Sequence, residues 1–133
     1  MSTERRWIGS GVKSEEMFGY SRATRVGDRI LVSATAASGP DGIVARGDAG
    51  GQARHILQKI EEAVKELGGT REDIVFTRVY LKKKEDLMAI APVHAEYFGE
   101  TRPASTLVLT GFVDDDFLLE IDAEAVIGSG KGS

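Results

Sequence analysis

Apolar residues recur along the chain with two periods, and the changes of period mark the elements. Over residues 49–67, Ile56, Ile60, Ala63, Val64 and Leu67 keep helical spacing on one stripe, which predicts a long helix. Asp48 stands where an N-cap belongs, and Gly68 with Gly69 closes the far end. A second helix is predicted over residues 86–98, with Leu87, Ile90, Val93 or His94, and Tyr97 facing inward and Pro92 kinking its first turn. Elsewhere the period is two. Residues 73–82 put Val75, Thr77, Val79 and Leu81 on one face and Phe76, Arg78 and Tyr80 on the other. Residues 21–26 and 29–35 flank Gly27 and Asp28 and read as a hairpin, Gly27 supplying the permissive backbone angles. A loop bearing Gly39, Pro40 and Gly42 follows. Strands over residues 5–9, 105–112 and 118–127 complete the set, with Asp114, Asp115 and Asp116 as the turn between the last two.

This order predicts an α+β fold: a six-stranded mixed sheet with two helices packed on one face. A strand separates the helices, which implies parallel pairing across each crossover and hairpins at both ends of the chain. Strand residues of both parities are apolar: Leu107 and Leu109 oppose Val108, and Leu119 and Ile121 oppose Leu118 and Val126. Two helices cover one sheet face only, so the other needs a second copy against it. A homo-oligomer with inward-facing sheets is the expectation.

Length and composition narrow the chemistry. A chain of 133 residues, 41% hydrophobic and 29% charged, is one domain over residues 1–133. Its ordered core is expected over about residues 5–127, with flexible ends at 1–4 and 128–133, the latter a linker-like run of Gly, Ser and Lys. No apolar stretch has membrane-span length and the first residues carry no signal-peptide core, so a cytoplasmic protein is expected. With no cysteine, thiolate nucleophiles, disulfides and Cys-held metals are excluded. Two histidines, His55 and His94, give no metal-ligand spacing, so no metal and no cofactor is expected. The net charge of -4 argues against a nucleic-acid partner, since the one basic run, Lys82 to Lys84, passes at once into Glu85 and Asp86.

Several short segments, in order, resemble the YjgF/Rid family, which includes enamine/imine deaminases. They are Gly19, Tyr20, Ser21 and Ala23; Gly27, Asp28 and Ser33; Leu67, Gly68 and Gly69; and Glu72 to Val75 leading to Tyr80 and Leu81. Tyr97 and Phe98 follow, then Arg102, Pro103 and Ala104, and finally Leu119 to Val126. The resemblance implies a chorismate-mutase-like α+β domain forming a homotrimer, with small-molecule clefts between subunits. In active members an arginine after Pro-Ala clamps the substrate carboxylate, and a last-strand glutamate holds the water that attacks the C=N carbon.

Carried onto this chain, Tyr20 matches the cleft tyrosine, Glu120 the water-holding glutamate and Ser33 the serine of the usual Ser-Gly-Gln segment. Here that segment reads Ser33, Ala34, Thr35, so the glutamine is lost. Ser105 stands where the clamp arginine belongs, and Ala91 where active members often carry asparagine. The chain therefore resembles the subgroup without that arginine. Ser105 and Thr106 are then neutral hydrogen-bonding groups suited to an uncharged or differently shaped ligand, Arg78 is the candidate substitute charge, and Thr35 lines the same segment. Plain alternatives stand beside these: Glu120 a solvated strand acid, Tyr20 a packed aromatic, Ser105 and Thr106 strand formers; His94, the one candidate histidine base, reads more readily as a helix-packing residue. Two functions stay open, a C=N hydrolase catalysed by Glu120 and a non-catalytic metabolite sensor. A ribonuclease or translation-inhibitor role fits the acidic balance least.

Overall fold

The computed structural model describes residues 4–131. Six strands form one sheet in the order β1 (Arg5–Ile8), β2 (Ala23–Val26), β3 (Arg29–Thr35), β8 (Leu119–Val126), β6 (Ile74–Leu81) and β7 (Ala104–Leu109). Strands β4 (Ser38–Gly39) and β5 (Gly42–Ile43) make a small separate hairpin within the loop predicted there. Three helices accompany them: α1 (Lys13–Phe18), α2 (Ala49–Glu66) and α3 (Leu87–Phe98).

Helix α2 forms as its stripe predicts. Asp48 caps it by accepting the Gly51 N–H at 3.0 Å, and Ile56, Ile60, Ala63, Val64 and Leu67 are all buried. Gly50 lets α3 come close, since a Cβ there would stand 3.2 Å from the Ala89 carbonyl oxygen. Tyr97 ties α3 to α2 by donating to the Leu57 carbonyl at 3.2 Å and to the Glu61 carboxylate. In α3 the buried side chains are Ile90, Val93 and Phe98; Leu87, expected inward, is the first residue of the helix and is exposed. Together α2 and α3 cover Ile30, Val32, Thr77, Val79, Leu81, Leu119, Ile121, Ala123 and Ala125. Val75 is displaced from this face by a bulge between Ile74 and Phe76, and Ile74 is buried instead.

The topology departs from the sequence expectation at the C-terminal end. Strands β7 and β8 do not form a hairpin. Strand β7 pairs in parallel with β6 across the α3 crossover, whereas β8 inserts antiparallel between β3 and β6. Parallel β3 and β6 therefore flank β8 without pairing with each other. Burial explains the choice: β8 alternates Leu119, Ile121, Ala123 and Ala125 under the helices, while all six residues of β7 stay exposed at the edge. Asp114 to Phe117 still forms a local turn, closed by the Phe117 N–H on the Asp114 carbonyl.

The C-terminal run also differs from the loose tail expected of it. Gly128 and Gly130 both donate backbone N–H groups to Asp73 Oδ1, at 3.1 and 2.9 Å, and Ser129 to Lys131 form a 3-10 turn. A buried carboxylate needs these donors, which is why the run folds back. Residues 1–3 and 132–133 of the expected flexible ends lie outside the described residues. No helix among the described residues is long and apolar enough to cross a membrane.

Candidate functional site

The pleat sorts the sequence-derived candidates onto two sides of the sheet. Tyr80 donates to Asp122 Oδ2 at 2.8 Å and pairs in register with Glu120, so Phe76, Arg78, Tyr80, Glu120 and Asp122 share the face without helices. Thr106 lies beside Arg78 on that open face, and Leu31 and Ser33 continue it on β3. Ser105 points the other way, toward α3. Within one protomer Glu120 and Ser105 are therefore on opposite faces and do not meet.

On the open face the central feature is a bulge in β3. Val32 pairs with Ala123 and Thr35 with Ile121, so Ser33 and Ala34 together stand opposite Asp122. This re-aims Ser33, whose hydroxyl donates to the Ser21 carbonyl at 2.8 Å. Beside it lies an open cavity of about 970 Å³ whose lining includes Trp7, Glu15, Tyr20, Thr24 and Ser33. Tyr20 reaches it at the end of α1 and shares a 3.1 Å hydrogen bond with Ser14. Glu15, buried on α1, accepts from the Ser10 backbone N–H and hydroxyl and so fixes the cavity wall. Sequence periodicity passes over Glu15 and Trp7, since a six-residue helix shows no apolar stripe.

Glu120 opens β8 half-buried and makes no side-chain hydrogen bond among the described residues. Burial pushes its carboxyl above the usual carboxylate range, and the Arg22 guanidinium partly offsets that shift. Arg22 donates to the Ala34 carbonyl at 2.9 Å, while its buried Nε finds no partner among the described residues. Arg78, the expected substitute charge, is already engaged: it lies 3.5 Å from Asp122, 3.3 Å from the Tyr80 hydroxyl and over the Phe76 ring.

On the helix side, Ser105 shares a 2.8 Å hydrogen bond with Thr77, which in turn sits 2.9 Å from His94 Nε2. Ala91 lies exposed on α3 near the same edge. Thr35 is a correction. It is fully buried beneath the sheet, with its hydroxyl donated to the Ser33 carbonyl at 2.8 Å, because the bulge returns β3 to core parity at that residue. It reaches no ligand from there. The uncovered face is also less apolar than expected: Leu31 and Val108 are exposed on it, interspersed with Arg78, Glu120, Asp122 and Glu124. Among the described residues no three His, Asp or Glu side chains converge as metal ligands would.

Comparison with known proteins accords with this layout. Residues 13–127 match the family described as Endoribonuclease L-PSP. The protein SCO2049 of Streptomyces coelicolor is 36% identical over 125 residues, 93% of each chain. The 3-aminoacrylate deaminase RutC of Acinetobacter baylyi is 41% identical over 83 residues, 62% of this chain and 66% of that one. Among solved structures, Rv2704 of Mycobacterium tuberculosis, from the YjgF/YER057c/UK114 family, superposes with a TM-score of 0.85 at 34% identity, covering 93% of this chain and all of that one. With the family matched over nearly the whole sheet-and-helix unit, and the fold shared with its solved members, the chain belongs to the endoribonuclease L-PSP, or YjgF, family.

Proposed function

We propose that this protein hydrolyses imines, or enamines by way of their imine tautomers, to a carbonyl compound and ammonia, on a substrate other than the usual 2-imino acids. The work is done in clefts between the subunits of a cytoplasmic homotrimer. The observation that carries this reading is Glu120: a half-buried carboxylate whose pKa burial raises, without a hydrogen-bond partner among the described residues, near the start of β8. Such a group holds a water by accepting its O–H and aims the water's lone pair at the C=N carbon. As water adds, Glu120 takes its proton and the C=N electron pair moves to nitrogen, which takes up that proton to give the neutral carbinolamine. Transfer of the hydroxyl proton to the amine by the same carboxylate then lets the C–N bond break, leaving the carbonyl compound and ammonia. Tyr20 and Ser33 shape the open-face half of the site, with Arg78 and Thr106 further along the same face.

The sidedness of the sheet supports an inter-subunit cleft, because Glu120 and Ser105 can face one ligand only if two copies supply them. The similarity to a protein named 3-aminoacrylate deaminase supports C=N chemistry. A second reading, a non-catalytic metabolite-binding trimer, draws on the serine at position 105, which removes the bidentate clamp. Ribonuclease action has the least support, given the net charge of -4.

The deciding experiment is ammonia release from a panel of short-lived imines, charged and neutral, by the wild type and Glu120→Gln. Turnover by the wild type that falls about 100-fold or more in the variant supports the deaminase. No turnover on any member, or turnover indifferent to the substitution, assigns the protein to the binding class.

A further inference from the structure

Ser105, Thr77 and His94 form an unbroken hydrogen-bonded chain from the exposed edge of the sheet to the space beneath α3. The parallel register of β6 and β7 sets Thr77 beside Ser105, and α3 brings His94 Nε2 over Thr77. Thr77, in the middle, is fully buried, Ser105 at the outer end is exposed, and His94 at the inner end is partly buried. Among the described residues, the side-chain hydrogen bonds of these three groups run only to one another.

Burial holds the His94 imidazole below its ordinary value, and the ring is neutral at neutral pH. A neutral imidazole has one donor and one acceptor nitrogen, and each hydroxyl donates once. The proton order therefore propagates. With Nε2 accepting, Thr77 donates to it, Ser105 donates to Thr77, and Ser105 turns lone pairs outward. With Nε2–H donating, all three reverse and Ser105 offers its O–H outward. Either order satisfies the buried hydroxyl of Thr77, and neither brings a net charge.

Enclosed in the proposed cleft, a carboxylate seated on Ser105 would give up hydration beside Leu107, which shares that side of β7, for neutral hydrogen bonds from this strand. Arg78, on the open face that the other copy turns to this cleft, is already engaged by Asp122 and the Tyr80 hydroxyl. A primary amide carries both a carbonyl acceptor and an N–H donor, and it fits either order of the chain.

We infer that Thr77 and His94 are positioning residues that hold Ser105 as a neutral hydrogen-bonding contact, so that the site takes an imine or enamine bearing an uncharged amide where an imino acid bears its carboxylate. This rests on the cleft proposed above, in which position 105 meets the ligand. The resulting product is a 2-oxo amide rather than a 2-oxo acid.

Calorimetric titration of the intact protein with pyruvamide and with pyruvate tests this directly. Pyruvamide is expected to bind at least about tenfold more tightly, and Ser105→Arg to reverse the order. Thr77→Val, which keeps the volume and cuts the chain, is expected to weaken pyruvamide binding about fivefold, while Thr77→Ser preserves it. The imidazole 15N shifts of His94 should respond to pyruvamide in the wild type and Thr77→Ser, and not in Thr77→Val, a signature that loss of packing would not give. Pyruvate bound as tightly as pyruvamide, no binding of either, or equal binding by the two Thr77 variants overturns the inference. A preference for pyruvamide in a protein that releases no ammonia from any imine removes the deaminase reading alone. Ammonia release together with a preference for pyruvate removes this inference alone.

Discussion

Glu120 concentrates the tension between stability and use in one side chain. Its carboxyl is more comfortable protonated in the folded protein than in the unfolded chain, because burial disfavours the anion. A raised folded pKa makes its contribution to stability favourable at low pH, and that contribution is lost as pH rises through the folded value. Glu120→Gln, neutral at every pH, should therefore raise the melting temperature at pH 7 by about 3 °C, measured by calorimetry, while abolishing turnover. The same shift predicts that kcat/KM of the wild type falls on acidification with an apparent pKa above the ordinary glutamate value. An acid limb at or below that value would count against Glu120 as the group that holds the water. Asp73 shows the opposite balance. Burial pushes its carboxyl up, but the backbone N–H groups of Gly130, Thr70 and Gly128 outweigh it and hold the pKa below the usual range. Its stabilisation is present above the unfolded value and lost as pH falls through the folded one. Asp73→Asn is expected to cost about 2 kcal/mol at pH 7, with the gap from wild type closing in urea unfolding performed near pH 3.

At the scale of elements, the loop that delivers Glu120 is held by a residue with no visible signal in the sequence. Gln52 is fully buried on α2, where its amide donates to the Asp116 and Ala45 carbonyls at 3.1 and 3.3 Å and its carbonyl accepts the Leu118 N–H at 3.0 Å. Two residues later the chain reaches Glu120. Replacing Gln52 by Leu keeps bulk and strands all three backbone groups, which should cost about 3 kcal/mol in urea denaturation. It should also speed amide hydrogen exchange at Leu118. Ordinary exchange there in the variant would show that the loop is positioned by other means. Periodicity made α2 plain but assigned Gln52 no role, since a polar residue in a helix reads as solvated until the facing loop is known. The same limit produced the mistaken C-terminal hairpin. Alternation identified β7 and β8 as strands, yet pattern alone does not say which neighbour a strand pairs with.

For the whole molecule, the placement of Glu120 and Ser105 on opposite faces makes assembly a condition of the proposed chemistry. Light scattering is expected to give three times the 14.3 kDa of one chain at micromolar concentration. A monomeric mass would remove both the shared cleft and the reading built on it. The open face that would turn inward is not a plain apolar patch. It mixes Leu31 and Val108 with the Arg78–Asp122 and Arg29–Glu124 pairs. Such a face tolerates water, which suits a cleft more than a sealed core.

Local periods, turn residues and short ordered motifs were enough to read the long helix with its Asp48 cap, the second helix, the six main strands, the first hairpin, the α+β class and the family, while the short helix α1 left no such signal. Only the tertiary structure decided that β8 is central and β7 the edge, that Thr35 is core, that the tail folds onto Asp73, and that Arg78 is spoken for by Asp122. Those outcomes depend on which residues distant in the chain compete for the same buried space and the same hydrogen-bond partners. The Ser105–Thr77–His94 chain belongs to that second group: three polar residues, each noted separately in the sequence, become one device only when a parallel register and a crossing helix set them in line.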